Sequence, residues 1–312
     1  MCNKESLKII RNKVRYDIPR VVLECQNCGL TYLKPEEKDL KKYYSEEYRK
    51  KHTCIVGQTM ECKEMFDLLL PYQQARIEEI KNILNPKMRV LDVGCSTGHF
   101  LFVLKDYVQE CIGIEYNSQE AEFAKEKLNI KVYTKSIEET DLLQESFDLI
   151  TIYQVLEHVK DPINFLKLYR KYIKPDGYIS IEVPNIQDVL ISKYKIKSYE
   201  DFWYREPHLF YYSPQTLKMI LEKAGFKGSI KGYQRYNILN HMNWIFSGKP
   251  QKSVKNGWSR SVLIKDSIKS EESSNELNLW IEKIDEEYKK ILLKYNLSDC
   301  IIFIGQKTES NN

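Results

Sequence analysis

The sequence lacks the features that are typical of membrane proteins, secreted proteins and nucleic-acid-binding proteins. Its 312 residues contain no apolar run close to the ~20 residues of a membrane-spanning helix, and its start has no signal-peptide pattern. The 48 basic and 44 acidic side chains nearly balance, without the clustered basic face that nucleic-acid binding requires. There is no internal repeat. These absences favour a cytoplasmic protein with no membrane span and no nucleic-acid partner.

Half of a zinc site is also missing. The stretch LECQNCGLTYLKP (residues 23–35) contains a C-x-x-C-G knuckle, formed by Cys25 and Cys28. A zinc ribbon needs two such pairs about 15–20 residues apart, and upstream there is only Cys2. Tetrahedral zinc needs four ligands, so these three cysteines predict an incomplete zinc site or the remnant of one. Three later side chains could substitute: His52, Cys54 and Cys62.

The composition divides the chain into two domains. Residues 1–57 are polar, and the apolar runs Leu7–Val14 and Val21–Leu23 predict a β-hairpin leading into the knuckle, as part of a small zinc-ribbon-like appendage. Residues 58–312 begin with alternating strand and helix signals. Strands separated by helices predict a parallel sheet with right-handed crossovers.

The boundaries of later elements follow from capping residues and periodicity. Asp161 before Pro162, and Ser213 before Pro214, predict two helix starts. A strand is expected around Ile230–Ile238, followed by a polar, loop-like stretch. A helical repeat of apolar residues then runs from Leu277 to Tyr295, before a last buried strand. Residues 241–298 are therefore predicted to be an insertion between the last two strands.

The most informative stretch is VLDVGCSTGHFL (residues 90–101), which runs from a buried strand through a glycine turn into a helix. Such a turn lets the backbone approach a ligand closely. The next strand ends in GIEY (residues 113–116), which places Glu115 about twenty residues after Gly94, where a carboxylate can accept both ribose hydroxyls. Because the spacing is not G-x-G-x-x-G, a nucleoside without a phosphate cradle fits better than a dinucleotide.

Four blocks in this order and spacing resemble the class I S-adenosylmethionine-dependent methyltransferases. They are residues 90–101, residues 113–116, SFDLITIYQVLEHVKDP (residues 146–162) and LYRKYIKPDGYISIEVPN (residues 168–185). The resemblance covers about residues 58–240. It implies an α/β, Rossmann-like, seven-stranded and mostly parallel sheet whose antiparallel last strand is inserted beside the sixth.

The resemblance also implies a binding site for S-adenosylmethionine. Its methionine and ribose portions would contact the first block; Glu115 would bind the ribose hydroxyls; Tyr116, Ser136 and Ile137 would lie at adenine; and Gln154 would reach the reaction side. The implied contacts in the first block are Asp92, Gly94, Cys95, Ser96 and Gly98. Ser96 departs from the family pattern, which often has glycine there.

Methyl transfer is an in-line displacement in which the protein mainly aligns the reactants and excludes water. A hydroxyl acceptor usually needs a base, most often histidine. The candidates are His158, with Glu157 before it, and His208 in an aromatic loop; structural roles for both histidines are equally open. Some metal-dependent relatives carry E-x-x-E-H and bind magnesium, but here Gln154 replaces the first glutamate.

The knuckle and the Tyr43–Tyr48 segment resemble the front end of methyltransferases from surface-polysaccharide and sugar-nucleotide pathways. This resemblance implies O-methylation of a sugar, a nucleotide-sugar or a related small hydroxylated acceptor. The alternatives are a sugar C-methyltransferase and a non-catalytic binding protein with a methyltransferase fold. Neither the acceptor nor the oligomeric state is fixed by the sequence.

Overall fold

The computed structural model describes residues 6–35, 60–264 and 272–308. Several residues named above lie outside this part of the chain: Cys2, the Tyr43–Tyr48 segment, His52 and Cys54.

Strands form two sheets in the described part of the chain. In chain order they are β1 (Leu7–Arg11), β2 (Val22–Cys25), β3 (Thr31–Leu33), β4 (Arg89–Val93), β5 (Glu110–Ile114), β6 (Lys131–Tyr133), β7 (Phe147–Tyr153), β8 (Ile173–Pro184), β9 (Phe210–Tyr211), β10 (Phe226–Tyr233) and β11 (Cys300–Lys307).

The α-helices precede, connect and follow these strands. They are α1 (Cys62–Leu69), α2 (Gln74–Ile80), α3 (His99–Leu104), α4 (Ser118–Leu128), α5 (Pro162–Arg170), α6 (Val189–Ser192), α7 (Lys197–Trp203), α8 (Pro214–Lys223), α9 (Ile238–Ser247), α10 (Val254–Trp258) and α11 (Glu272–Lys294). None of the helices in the described ranges combines the length and apolar character needed to cross a membrane.

The main sheet has seven strands in the order β10-β11-β8-β7-β4-β5-β6. Neighbours from β6 to β8 are parallel, whereas β11 runs antiparallel to both β8 and β10. The central strand β7 is almost wholly buried, because helices cover both faces of a parallel sheet. The predicted α/β fold is confirmed. Its antiparallel last strand, β11, lies beside β10, which is the sixth strand of this sheet in chain order.

The N-terminal segment belongs to a second sheet of four strands. The predicted hairpin is confirmed, since β1 pairs antiparallel with β2. Strand β3 then pairs with β9, which lies in the connection after β8, through Thr31–Tyr211 and Tyr32–Phe210. The segment around the knuckle is thus joined to the loop that contains His208.

The insertion before β11 is helical, as predicted, but its first part was predicted wrongly. Strand β10 ends at Tyr233, and a helix rather than a loop begins at Ile238. The Asn237 side chain accepts a hydrogen bond from the Asn240 N–H, and Gly248 ends the helix in the left-handed conformation. These are ordinary helix boundaries, and the residues between them are mostly apolar, which the prediction of a polar loop overlooked.

The long helix α11 was also predicted, but not the face that it buries. Its buried side chains include Ile281 and Leu292, whereas Trp280 and Ile291 of the predicted stripe are 55% and 54% exposed. The apolar repeat and the buried face therefore coincide only in part, because packing against β10 and α9 also buries side chains on a neighbouring line of the helix.

Candidate active site

Two cavities open at the edge where the parallel strands end. The larger, about 670 Å³, lies beyond β4, β5 and β7; the smaller, about 460 Å³, extends from β4 and β7 towards the end of β10 and the insertion. Both are lined by Gly94 and Gln154, so they meet at that point. In open α/β sheets, this edge is where ligands bind.

Glu115 is fixed in the wall of the larger cavity by backbone donors. Its Oε2 accepts a hydrogen bond from the Ser96 N–H at 2.9 Å, and its Oε1 accepts one from the Asn117 N–H at 2.8 Å. A carboxylate has about four lone-pair sites, and these two hydrogen bonds use one site on each oxygen. Tyr116 and Ser136 line the same cavity.

A hydrogen bond made by the Ser96 hydroxyl gives a structural reason for its departure from the family pattern. Its φ of 51° lies in the left-handed region that favours glycine. Its hydroxyl donates to Glu120 Oε2 at 2.6 Å, which ties the turn after β4 to the start of α4. The serine therefore makes a contact that glycine cannot make.

Gly94 is required by the close approach of two strand ends. Its φ is +75°, and a Cβ added there would lie 2.4 Å from Val155 Cγ2. Val155 is the neighbour of Gln154, so the constraint acts where the two cavities meet.

We expect Gly94→Ala to destabilise the fold by about 2–4 kcal/mol, from left-handed strain together with overpacking. Gly29→Ala is the matched control, because Gly29 also has positive φ (+72°) but the nearest atom to its added Cβ is 4.0 Å away. Urea unfolding measures both variants. Equal losses would show that the contact with Val155 is immaterial.

Two predicted cofactor residues do not line either cavity. Ile137 is fully buried in the core. Gly98 permits close helix packing, since its added Cβ would lie 2.6 Å from Leu128 Cδ1 and 3.1 Å from Ala124 Cβ, and its predicted contact with the cofactor stays a prediction. The remaining predicted residues do line a cavity: Asp92, Gly94, Cys95, Ser96, Glu115, Tyr116, Ser136 and Gln154.

Asp92 lies at the β4 end of the smaller cavity. Its Oδ1 accepts a hydrogen bond from the Thr151 hydroxyl at 2.6 Å. Burial raises the pKa of this carboxyl to about 7, so it is poised between its two protonation states near neutral pH.

The far wall of the smaller cavity contains cations that were missed in the sequence, namely Arg76, Arg235 and Lys289. Arg76 binds the fully buried Glu182 through Nε at 2.7 Å and Nη2 at 3.2 Å. Glu182 also accepts from Gln154 Nε2 at 2.9 Å. Because Arg76 precedes β4 and Glu182 lies on β8, no local pattern in the sequence signals this network.

Glu157, His158 and His208 form a compact cluster beside the larger cavity. One ligand-type atom from each lies within 4.8 Å of the others. His158 Nδ1 donates to the Pro207 carbonyl at 2.9 Å, and its ring meets that of His208 edge to face at 4.9 Å. His158 lines the larger cavity, while the buried Glu157 and His208 line neither cavity and lie behind it.

This is the one group of three or more metal-ligating side chains among residues 6–35, 60–264 and 272–308. It does not include Gln154, whose amide donates to Glu182 and to Cys300 Sγ. It does not include Cys25 or Cys28 either, so the described residues do not assemble the predicted zinc site. That site stays a prediction.

Burial raises the pKa of Glu157 to about 8. The pKa of a glutamate in the unfolded chain is about 4.3. The folded protein is therefore fully stabilised by the neutral carboxyl below about pH 4.3, and this stabilisation is lost as the pH rises through about 8. We expect Glu157→Gln to gain in Tm over the wild type between pH 5.5 and 8.5, by about 5 °C.

Thermal unfolding at several pH values tests this expectation. Glu126→Gln, an exposed change on α4, is the control and should show no pH-dependent gain. A Tm difference for Glu157→Gln that does not change with pH would refute the assignment of a buried, neutral carboxyl.

The strand order and the cleft at the carboxyl edge define a Rossmann-like methyltransferase fold. The family model for a methyltransferase domain matches residues 65–228, more than half of the chain, and the chain belongs to this family. S-adenosylmethionine is the expected cofactor of this fold.

Curated relatives differ in what their names say they act on. The chain is 33% identical to the uncharacterized methyltransferase YcgJ of Bacillus subtilis over 95 residues, which is 28% of this chain and 38% of that protein. It is 30% identical to a ubiquinone biosynthesis O-methyltransferase of Actinobacillus pleuropneumoniae over 128 residues, 38% of this chain and 54% of that one. It thus spans about half or less of these relatives.

A third relative has a different acceptor in its name, a tRNA U34 carboxymethyltransferase of Hydrogenovibrio crunogenus. It is 29% identical over 153 residues, 45% of this chain and 44% of that protein. Among solved structures, an S-adenosylmethionine-dependent methyltransferase from Archaeoglobus fulgidus superposes with a TM-score of 0.51 at 24% identity, over 78% of this chain and 97% of the other. That likeness concerns the fold.

Proposed function

We propose that the protein transfers a methyl group from S-adenosylmethionine to a hydroxyl of a small acceptor. The observation that carries the proposal is the junction of the two cavities at Gly94 and Gln154. One cavity offers a carboxylate and an aromatic ring suited to a nucleoside, and the other begins at Asp92 and the turn after β4, where the amino-acid end of the cofactor would lie. A cofactor that combines both parts would have its reactive centre between them.

Each part of the cofactor then has candidate partners. Glu115 binds the ribose hydroxyls, Tyr116 and Ser136 lie at adenine, and Asp92 faces the amino-acid end together with the turn after β4. S-adenosylmethionine supplies the activated methyl group when it is bound. The chain's part is to align the acceptor with the methyl group and to exclude water.

His158 is proposed as the base that takes the acceptor proton. Because Nδ1 donates to the Pro207 carbonyl, the proton-accepting position of the neutral ring is Nε2. Glu157 Oε1 lies 3.7 Å from that atom. Glu157 and His208 are positioning residues, since both are buried behind the imidazole and neither reaches a cavity.

The proposed acceptor is a sugar, a nucleotide-sugar or a related hydroxylated small molecule, and the corresponding process is polysaccharide biosynthesis. The resemblance of the N-terminal knuckle supports this proposal, as does the pairing of β3 with β9 beside the His208 loop. The name of the Actinobacillus relative supports transfer to oxygen. The proposal uses no step through zinc.

The test is incubation with methyl-labelled S-adenosylmethionine and a panel of sugars, nucleotide-sugars and polysaccharide fractions. We expect label in at least one hydroxylated compound, with Glu115→Ala as the matched inactive control. Carbon-13 NMR of the product distinguishes a methyl group on oxygen from one on carbon. Labelling of a carbon atom would favour the C-methyltransferase, and binding of the cofactor without transfer to any fraction would favour a non-catalytic protein.

A further inference from the structure

The smaller cavity has a positively charged wall that cofactor binding does not fully use. Arg76 comes from α2, Arg235 follows β10 and Lys289 lies on α11 of the insertion. These three elements are far apart in the chain, and the fold brings their cationic side chains to one surface. Such a wall attracts an anionic ligand, because charges in a cleft are screened less than charges in open solvent.

Arg76 is already committed to neighbouring side chains. Its Nε and Nη2 donate to the two oxygens of Glu182, and its Nη1 donates to Gln73 Oε1 at 3.0 Å. All three nitrogens of the guanidinium therefore have partners, and this residue links α2 to β8 rather than being available to a ligand.

The terminal nitrogens of Arg235 can donate hydrogen bonds to a ligand. Its Nε donates to Asp299 Oδ2 at 2.7 Å, but Nη1 lies 3.7 Å from Glu182 Oε1, beyond hydrogen-bond range. Within the described residues, neither terminal nitrogen donates a hydrogen bond to the protein. The guanidinium carbon lies 5.1 Å from the centre of the Trp258 ring, which orients the group. A planar pair of donors of this kind matches carboxylate and phosphate oxygens.

Lys289 adds a second charge to the same wall. Its Nζ lies 3.1 Å from Asp285 Oδ2, one helical turn earlier. An ammonium group has three donors, so one ion pair leaves capacity for a ligand. Asp285 is itself held from behind, since its Oδ1 accepts the Ile238 N–H at 2.6 Å.

The carboxylates near this wall lie behind it rather than in the cavity. Glu182 and Asp299 are buried and do not line the cavity; the one carboxyl among its described lining residues is Asp92. Asp92 lies on β4, two strands from β8 in the sheet, or about 10 Å at the usual strand spacing. The cavity is thus polarised, with its acidic group at β4, Arg76 bound to Glu182 on β8, and Arg235 and Lys289 further along the sheet.

We propose that the methyl acceptor carries an anionic group, a carboxylate or a phosphate monoester, that is bound by Arg235 and Lys289. This inference rests on the proposed function and narrows it to hydroxylated anions. The insertion before β11 then selects the acceptor, since it supplies Lys289 and Trp258, while the strand ends bind the donor.

Calorimetry with simple anions tests the anion site directly. The protein is first saturated with S-adenosylhomocysteine and then titrated with inorganic phosphate and, separately, with acetate. We expect saturable binding of at least one anion, weakened about tenfold or more in Lys289→Gln and in Arg235→Gln, because each change removes a charge-assisted hydrogen bond. Lys283→Gln, an exposed change on α11, is the control and should bind as the wild type does.

A matched set of acceptors extends the test to catalysis. Glucose, glucuronate and glucose 6-phosphate share a hydroxylated ring and differ in the anionic group, so preference for either anion over glucose, lost in Lys289→Gln, is the expected result. Phosphate and acetate that fail to bind the wild type, or that bind the two variants as tightly as the wild type, would overturn the inference. Failure of S-adenosylhomocysteine itself to bind would instead overturn the proposed function.

Discussion

Glu115→Ala is expected to weaken the binding of S-adenosylmethionine by about a hundredfold or more. The carboxylate would lose two charge-assisted hydrogen bonds to the ribose, each of about 1.5–3 kcal/mol. It also fixes the turn after β4, because it accepts the backbone N–H groups of Ser96 and Asn117. Removing it therefore takes away both ligand contacts and the support of the loop beneath the ligand. Isothermal titration calorimetry measures the effect.

Two variants separate the charge from the shape of this side chain. Glu115→Gln keeps one carbonyl acceptor and should give an intermediate affinity. Glu126→Ala, an exposed change on the following helix, should bind as the wild type does. An unchanged affinity in Glu115→Ala would exclude the ribose assignment, provided that circular dichroism shows a folded variant.

His158→Asn is expected to lower kcat by about a hundredfold or more, which is the usual loss when a general base is removed. Asparagine can place its amide nitrogen where Nδ1 lies, so the hydrogen bond to the Pro207 carbonyl at 2.9 Å is retained. What is lost is Nε2, the position that would accept the proton. Steady-state kinetics with a saturating donor measures the change.

The control for this variant is donor affinity. His158→Asn should bind S-adenosylhomocysteine within about twofold of the wild type, because the imidazole is assigned to the acceptor rather than to the ribose. His158→Ala, which also loses the contact with Pro207, should lose no less activity. Full activity in His158→Asn would show that proximity alone drives the reaction and that this histidine is structural.

The residues proposed to bind the donor could be grouped from the sequence, because they are close together in the chain. A buried strand, a turn and a helix start place Gly94 and Ser96 within a few residues of Asp92. The next strand in the chain, β5, is also the neighbour of β4 in the sheet. Glu115, which follows β5, therefore lies beside the turn after β4. Strand, turn and helix signals suffice wherever neighbours in the chain are neighbours in space.

The acceptor half could not be read in this way. Arg76 and Glu182 meet because β8 lies near the middle of the sheet, and Lys289 joins them because α11 packs against β10. The orientation of α11 illustrates the same limit, since tertiary contacts bury Ile281 and leave Trp280 largely exposed. Gly98 has a packing role that was not predicted, because an added Cβ would meet Leu128 and Ala124 between α3 and α4, and its role at the ligand stays a prediction.

The central claim is that S-adenosylmethionine binds where the two cavities meet. The most direct measurement is a calorimetric titration of the wild-type protein with S-adenosylmethionine, with Glu115→Ala alongside. We expect saturable binding at about one site per chain, lost or strongly weakened in the variant. Absence of saturable binding to the wild type, or equal binding by both proteins, would contradict it.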